Sequence, residues 1–133
     1  MSEALRQSGV AVRLMDSITA IAEDDAGHVV ISGSHGGRSS AGFALPVATR
    51  LCVFNDAGVG KDGAGIVALA LLQARGTPAA CVSHESASIG DAADTWTNGS
   101  ISHVNPAAAA LGLIPGEPLR SAVLRTVIPR STP

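Results

Sequence analysis

The sequence predicts an α/β fold: a three-layer single domain with a mostly parallel sheet of four or five strands. Its 133 residues are the usual length of one domain, and they suffice for a core without disulfides or metals. Short apolar runs alternate with segments of helical pattern, which is typical of βαβ units. The runs do not alternate polar and apolar residues, as expected for strands that are covered on both faces.

The strands belong to a βαβ core that we place at residues 28–112. The three clearest candidates are the apolar runs at residues 28–33, 51–54 and 79–83. Because short crossovers connect adjacent strands more often than distant ones, these three are expected to be parallel neighbours. A fourth, weaker strand is expected at residues 100–102.

Helical segments follow the strands. Residues 63–75 predict a helix that ends at Gly76 and Pro78. Shorter helices are expected at residues 91–97 and 107–111. Helices that connect parallel strands cover the faces of the sheet, which gives the three layers.

Two flanking segments complete the chain. Residues 1–27 are a lead-in, in which the β-branched side chains of residues 10–21 allow a short strand. Residues 113–133 contain several prolines and are expected to form an extended C-terminal arm with a short helix around residues 119–125.

Composition excludes several classes of partner. The net charge is −2 and Lys and Arg form no run, so the electrostatic footprint of a nucleic-acid-binding protein is missing. The longest apolar stretch, residues 64–72, is far shorter than the roughly 20 residues that cross a bilayer. Since the N-terminus also lacks the basic-then-apolar pattern of a secretion signal, we expect a cytoplasmic protein with no membrane partner.

No metal or cofactor is expected. Cys52 and Cys81 lie within predicted strands, where a small buried thiol is the usual role of cysteine. The histidines show no H-x-H or H-x3-H spacing, so the sequence does not favour a metal site at the strand ends.

Polar residues follow each predicted strand, at the edge where open α/β sheets bind ligands. They are Ser34-His35, Asn55-Asp56, Ser83-His84-Glu85 and Ser102-His103. Because the carboxyl ends of parallel strands meet at one edge, these side chains are expected to converge on one site. The alternative is that the serines and histidines only cap the helices that follow.

Acid–base chemistry is the role that these residue types suggest, because histidine exchanges protons near neutral pH. The candidate catalytic residues are Ser34, His35, Asp56, His84 and His103. Residues 32–36 also approach the G-x-S-x-G nucleophile elbow, with a serine in place of the first glycine. This pattern favours hydrolysis with Ser34 as the nucleophile or a water-orienting group, and it leaves a lyase or an isomerase open.

Two glycine-rich loops have the character of anion sites. One follows the first strand of the core, and the other, residues 58–63, has the pattern G-x-G-x-x-G with Lys61 inside it. The candidate substrate-binding residues are Gly36, Gly37, Arg38, Asn55, Gly58, Gly60, Lys61, Ser83 and Glu85.

The same G-x-G-x-x-G pattern raises the alternative of a nucleotide- or dinucleotide-binding module, with Glu85 at the ribose-binding position. However, residues 55–57 separate the strand from Gly58, whereas the fingerprint has its first glycine directly after the strand. Asp62 follows Lys61 where a P-loop has Ser or Thr, which excludes a P-loop.

The sequence therefore predicts a small enzyme that acts on a small polar, anionic substrate by His/Asp acid–base chemistry, most simply a hydrolase. A further alternative is a non-catalytic subunit of a larger enzyme, in which a partner chain completes the site. Residues 63–72 carry no charge on any helical face. We therefore also expect a homo-oligomer with this segment, or residues 107–113, at the interface.

Overall fold

A five-stranded sheet organises the chain, whose structure is a computed structural model that describes residues 9–128. The strands are β1 (Val12–Met15), β2 (Val29–His35), β3 (Leu51–Asn55), β4 (Ala79–Val82) and β5 (Ile101–Val104). They lie side by side in chain order. Strands β1 to β4 are parallel, and β5 is antiparallel to β4. The three strands expected to be parallel neighbours are therefore confirmed as such.

Five helices cover the sheet and its end. They are α1 (Arg38–Ala44), α2 (Val67–Gln73), α3 (Ala92–Asn98), α4 (Pro106–Leu111) and α5 (Leu119–Thr126). One layer contains α1 and α2, whose small residues pack on alternate side chains of the strands such as Val30 and Phe54. The opposite layer contains α3 and α5, which pack on Val29 and Val53. The predicted three-layer α/β fold is confirmed.

Both flanking segments contribute to the fold where the structure describes them. The strand allowed at residues 10–21 is β1, and the helix expected around residues 119–125 is α5. In α5 the side chains of Leu119 and Val123 are fully buried. Residues 1–8 of the lead-in and residues 129–133 of the arm lie outside the described residues.

The helix predicted at residues 63–75 begins later than expected, at Val67. Before it, Lys61–Gly63 form one turn of 3-10 helix in which Asp62 has a φ of 56°. Gly65 then lies so close to the carbonyl oxygen of Asp56 that a Cβ would approach it to 2.2 Å. The loop after β3 is therefore longer, and the α-helix shorter, than the apolar pattern indicates.

The direction of β5 corrects the expectation for Ser102 and His103. These residues do not follow a strand; they lie within β5, where His103 pairs with Cys81 of β4. An antiparallel strand begins at the edge where its neighbours end. His103 therefore still comes close to the carboxyl ends of β3 and β4, but from within its strand rather than from a loop after it.

Two further expectations concern the burial of the cysteines and the length of the apolar helices. The thiols of Cys52 and Cys81 are free and buried, as predicted. Burial raises the pKa of Cys52 to about 12, so this thiol is not a nucleophile at neutral pH. Within residues 9–128, no helix is long and apolar enough to cross a membrane.

Candidate active site

The carboxylate of Asp56 is the centre of the candidate site. Its side chain is only 7% exposed, and its backbone amide donates to the carbonyl of Val82, which fixes the residue at the ends of β3 and β4. Oδ1 accepts hydrogen bonds from the amide of Gly58 at 2.8 Å and from the amide of His84 at 3.1 Å. The carboxylate is thus held by the two loops that follow β3 and β4.

Two histidines direct Nδ1 toward this carboxylate. His84 Nδ1 lies 3.3 Å from Oδ1 of Asp56, and His103 Nδ1 lies 4.0 Å from Oδ2. The side chains of His84 and His103 are 46% and 38% exposed. Because Nδ1 of each ring faces the buried carboxylate, Nε2 remains available to a ligand.

Ser102 completes the cluster and was not among the predicted catalytic residues. Its hydroxyl lies 3.0 Å from Nδ1 of His103, so it bridges this ring and the carboxylate of Asp56. The carbonyl of Cys81, at 3.3 Å, is a second acceptor for the same hydroxyl proton. Ser102 therefore helps to orient His103.

The ionisation of Asp56 follows from these contacts. Burial raises the pKa of its carboxyl, but hydrogen bonds from the Gly58 amide, the Ser102 hydroxyl and His84 outweigh burial and lower the pKa below its ordinary value. Asp56 is therefore negative at neutral pH. A fixed negative charge beside the Nδ1 side of two imidazoles favours the neutral tautomer that carries its proton on Nδ1.

The loop after β3 has an unusual backbone. Four consecutive residues have positive φ: 52° at Ala57, 76° at Gly58, 69° at Val59 and 74° at Gly60. This conformation is rare for a β-branched residue such as Val59, and strain of this kind concentrates at functional sites. Gly58 also lies against His84, since a Cβ there would be in ordinary van der Waals contact with the ring at 3.5 Å.

The amides of this loop are used within it. The amide of Gly58 donates to Asp56 Oδ1, and that of Gly60 donates to the carbonyl of Gly58. In addition, α2 begins at Val67, beyond the glycine-rich segment. A pyrophosphate would need these amides and a helix N-terminus at the loop, so the geometry does not favour the dinucleotide alternative.

The end of β2 is arranged differently from the cluster around Asp56. The hydroxyl of Ser34 accepts a hydrogen bond from the amide of Ile18 at 2.9 Å. His35 is exposed, and its ring lies so close to Gly37 that a Cβ there would approach Nδ1 to 2.6 Å. In the described part of the chain, no hydrogen bond or ion pair joins Ser34 or His35 to Asp56.

The polar binding candidates divide into buried and exposed residues. Asn55 is fully buried and ties the loops together, because Nδ2 donates to the carbonyl of Ala87 and Oδ1 accepts from the amide of Ala57. The hydroxyl of Ser83 accepts from the amide of Glu85, whose own side chain is exposed. Asn55 is thus a structural residue, whereas Glu85 is free to contact a ligand.

Arg38 and Lys61 line a cavity of about 340 Å³ together with Asp62, Ala64 and Val67, which we call the charged cavity. The loop after β2 lies close to the loop after β3 beside this cavity, since a Cβ on Gly36 would lie 2.7 Å from the carbonyl oxygen of Gly65.

A larger cavity of about 550 Å³, which we call the α2 groove, lies between α2 and the segment that runs from His103 to Pro106. Asp62 and Val67 line both cavities. Of the catalytic candidates, His103 forms part of the wall of the groove.

Within residues 9–128, no three His, Cys, Asp or Glu side chains are grouped so that they could hold a metal ion. Comparison of the chain with models of protein families, with curated proteins and with solved structures finds no match. The chemistry of the site therefore rests on the geometry of Asp56, His84, Ser102 and His103.

Proposed function

We propose that this protein is a small enzyme that acts on a small polar, anionic molecule by acid–base chemistry of His84 and His103. One observation supports this best: a buried, ionised carboxylate, Asp56, lies 3.3 Å and 4.0 Å from the Nδ1 atoms of two half-exposed histidines. The carboxylate beside Nδ1 of His84, and the Ser102 hydroxyl beside Nδ1 of His103, favour the tautomer with an open Nε2. Positioned proton transfer typically contributes about 10²–10⁴-fold to a rate.

Hydrolysis is the reaction class that we propose first. One histidine, unprotonated at Nε2, takes a proton from water while the water oxygen forms a bond to the electrophilic atom of the substrate. The other histidine, protonated, gives its proton to the leaving group as that bond breaks. Asp56 stays ionised and stabilises the imidazolium that forms. Water rather than Ser34 is the nucleophile in this proposal, because Ser34 is tied to Ile18.

An activity screen tests the reaction class. The panel contains small esters, amides and phosphomonoesters that carry a carboxylate, together with carboxylates that undergo β-elimination or isomerisation. We expect turnover of an ester or amide that falls at least about 100-fold in His103→Gln and in His84→Gln. Turnover only of the elimination or isomerisation substrates would instead assign the same histidine pair to a lyase or an isomerase.

Histidine tautomers test the proposal without a substrate. In long-range proton–nitrogen NMR spectra, the neutral rings of His84 and His103 are expected to carry their one ring N–H proton on Nδ1. His28 is an internal control, because its Nδ1 accepts from the amide of Ala11 and its proton must be on Nε2. If both site histidines have the same tautomer as His28, Asp56 does not orient them and the proposal fails.

The homo-oligomer and the cytoplasmic compartment remain predictions within this proposal. Of the alternative interface segment at residues 107–113, Ala109 and Ala110 are exposed, while Leu111 is partly exposed. Light scattering at micromolar concentration is expected to give a mass above that of the monomer, and a monomer mass would contradict the homo-oligomer.

A further inference from the structure

The charged cavity contains cations without partners. Arg38 and Lys61 make no ion pair and no side-chain hydrogen bond within residues 9–128, in contrast to Arg13, which pairs with Asp25 at 3.2 Å. The carboxylate of Asp62 lines the same cavity but forms no ion pair with either cation. Two cations and one carboxylate leave one positive charge in excess. This charge matches a monoanion such as a carboxylate better than a dianion such as a phosphomonoester.

The α2 groove shares Asp62 and Val67 with this cavity, and its lining is mostly apolar. Ile66, Val67 and Ala70 line it on the side of α2, and Val104 and Pro106 line the opposite side. A ligand whose charge lies between Arg38 and Lys61 would thus meet apolar side chains in this groove. Burial of an apolar chain there is favourable, because it removes the chain and these side chains from water.

We infer that the substrate is a carboxylate monoanion with an apolar chain. Arg38 and Lys61 bind the carboxylate, the chain lies in the α2 groove, and His103 in the groove wall is the group that reaches the reacting bond. Arginine and lysine donate several hydrogen bonds to a carboxylate, so the charged end fixes the position of the chain. This inference rests on the proposed function for the reaction itself, whereas the binding mode is measured independently of turnover.

Titration of the full chain with straight-chain carboxylates from acetate to octanoate tests the binding mode. Affinity is expected to rise about fourfold with each methylene until the groove is filled. NMR shift changes are expected to concentrate at residues 61–70 and at His103. Alkylamines of equal length are expected not to bind, and alkyl phosphates to bind more weakly than the carboxylates.

Three variants separate the contributions. Arg38→Gln with Lys61→Gln is expected to lower the affinity for every carboxylate about tenfold or more, with the same gain per methylene as in the wild type. Ala70→Asp, at an exposed position in the groove, is expected to abolish the gain per methylene. Arg120→Gln is the matched control, because this cation lies over Trp96 on the opposite side of the sheet. It is expected to leave all affinities unchanged.

Several results would overturn the inference: an affinity that does not depend on chain length, alkylamines or alkyl phosphates that bind as tightly as the carboxylates, or unchanged binding in Arg38→Gln with Lys61→Gln. Failure of the proposed function gives a different result. In that case the carboxylates still bind with the expected dependence on length, but His84→Gln and His103→Gln retain full turnover of the substrate.

Discussion

The same dipeptide, serine followed by histidine, occurs at two regions of this sheet with different consequences. At the end of β2, Ser34 accepts a hydrogen bond from Ile18, and His35 is exposed beside a glycine. Around β4 and β5, His84 and His103 both turn Nδ1 toward a buried carboxylate. The dipeptide therefore does not define the candidate site; the position of Asp56 does.

A backbone hydrogen bond explains why the side chain of Asp56 contacts the histidines around β4 and β5 and not the end of β2. Its amide donates to the carbonyl of Val82, so the residue continues the pairing of β3 with β4 rather than with β2. The amide of His84 then donates to the carboxylate from the next loop. The carboxylate therefore lies on the β4 side, where histidines from that loop and from β5 reach it.

The largest effect that we expect is on turnover. His84→Ala and His103→Ala should each lower kcat by about 10²–10⁴-fold, because each ring transfers a proton in the proposed reaction. His35→Ala should keep kcat within about twofold of the wild type. Thermal melts should change little in all three variants, since these side chains are substantially exposed. A loss of kcat in His35→Ala equal to that in His84→Ala would remove the distinction between the two regions.

The next effect is on stability, at the loop that carries Asp56. Gly65→Ala should cost about 3 kcal/mol or more, because its Cβ would lie 2.2 Å from the carbonyl oxygen of Asp56 and 2.9 Å from that of Val59. The control is Gly42→Ala on α1, where a Cβ meets nothing within 4 Å and the helix should gain about 0.5–1 kcal/mol. Urea denaturation of both variants measures the difference. Equal stability of the two variants would contradict the crowding at residue 65.

Asp56→Asn tests the carboxylate itself, at an expected cost of about 1–3 kcal/mol at neutral pH. The pKa of Asp56 is lower in the folded protein than its ordinary value of 3.8, so the ionised carboxylate stabilises the fold. This contribution is complete above the ordinary value and disappears as pH falls through the lower, folded value. Denaturation at pH 7 and at pH 3 should therefore show a smaller difference between wild type and variant at the lower pH.

The exposed Glu85→Gln is the control for that experiment. It should leave the free energy of unfolding within about 0.5 kcal/mol of the wild type, because an exposed side chain contributes little to stability. If Asp56→Asn behaves like Glu85→Gln at both pH values, the hydrogen bonds to the carboxylate do not contribute to stability.

The smallest effect concerns Ser34. Ser34→Ala removes the acceptor for the amide of Ile18 and should cost about 1 kcal/mol of stability with kcat unchanged. Ser102→Ala should instead lower kcat and change the free energy of unfolding little, because its hydroxyl orients His103. Loss of turnover in Ser34→Ala would restore the serine nucleophile suggested by the elbow-like pattern.

The central strands could be predicted from the sequence because both of their faces are buried. Every residue of β3 and β4 is buried, so their runs are apolar without alternation. Their parallel direction places the residues that follow them at one edge, which is why the proximity of Asp56 and His84 followed from the sequence. These predictions depended only on residues near each other in the chain.

The direction of β5 could not be predicted in the same way. It depends on the path of α3, which connects β4 to β5 but packs against β1 and β2, toward the other edge of the sheet. A run as short as residues 101–104 contains no signal for such a distant contact. Ser102 was expected at this edge but was not named as a catalytic candidate: successive strand residues normally face opposite sides, but the register shifts at Cys81 and Val82.

The loop after β3 shows the limit of a motif. Its letters match G-x-G-x-x-G, but positive φ at Ala57 and Val59 cannot be inferred from residue types that normally avoid it. The close approach of Gly65 to Asp56 delays the helix to Val67, and this too depends on packing. The sequence identified the loop as glycine-rich and left its conformation open.

The order of the strands in the sheet, identical to their order in the chain, has a consequence for folding. Each strand pairs with the strand synthesised just before it, so every pairing closes one connecting segment of the chain. During synthesis the sheet can grow one strand at a time, beginning with β1 and β2. Asp56 and His84 then meet when β4 is added, and His103 reaches them only with β5. The cluster of Asp56, His84 and His103 is therefore completed only when β5, the last strand within residues 9–128, joins the sheet.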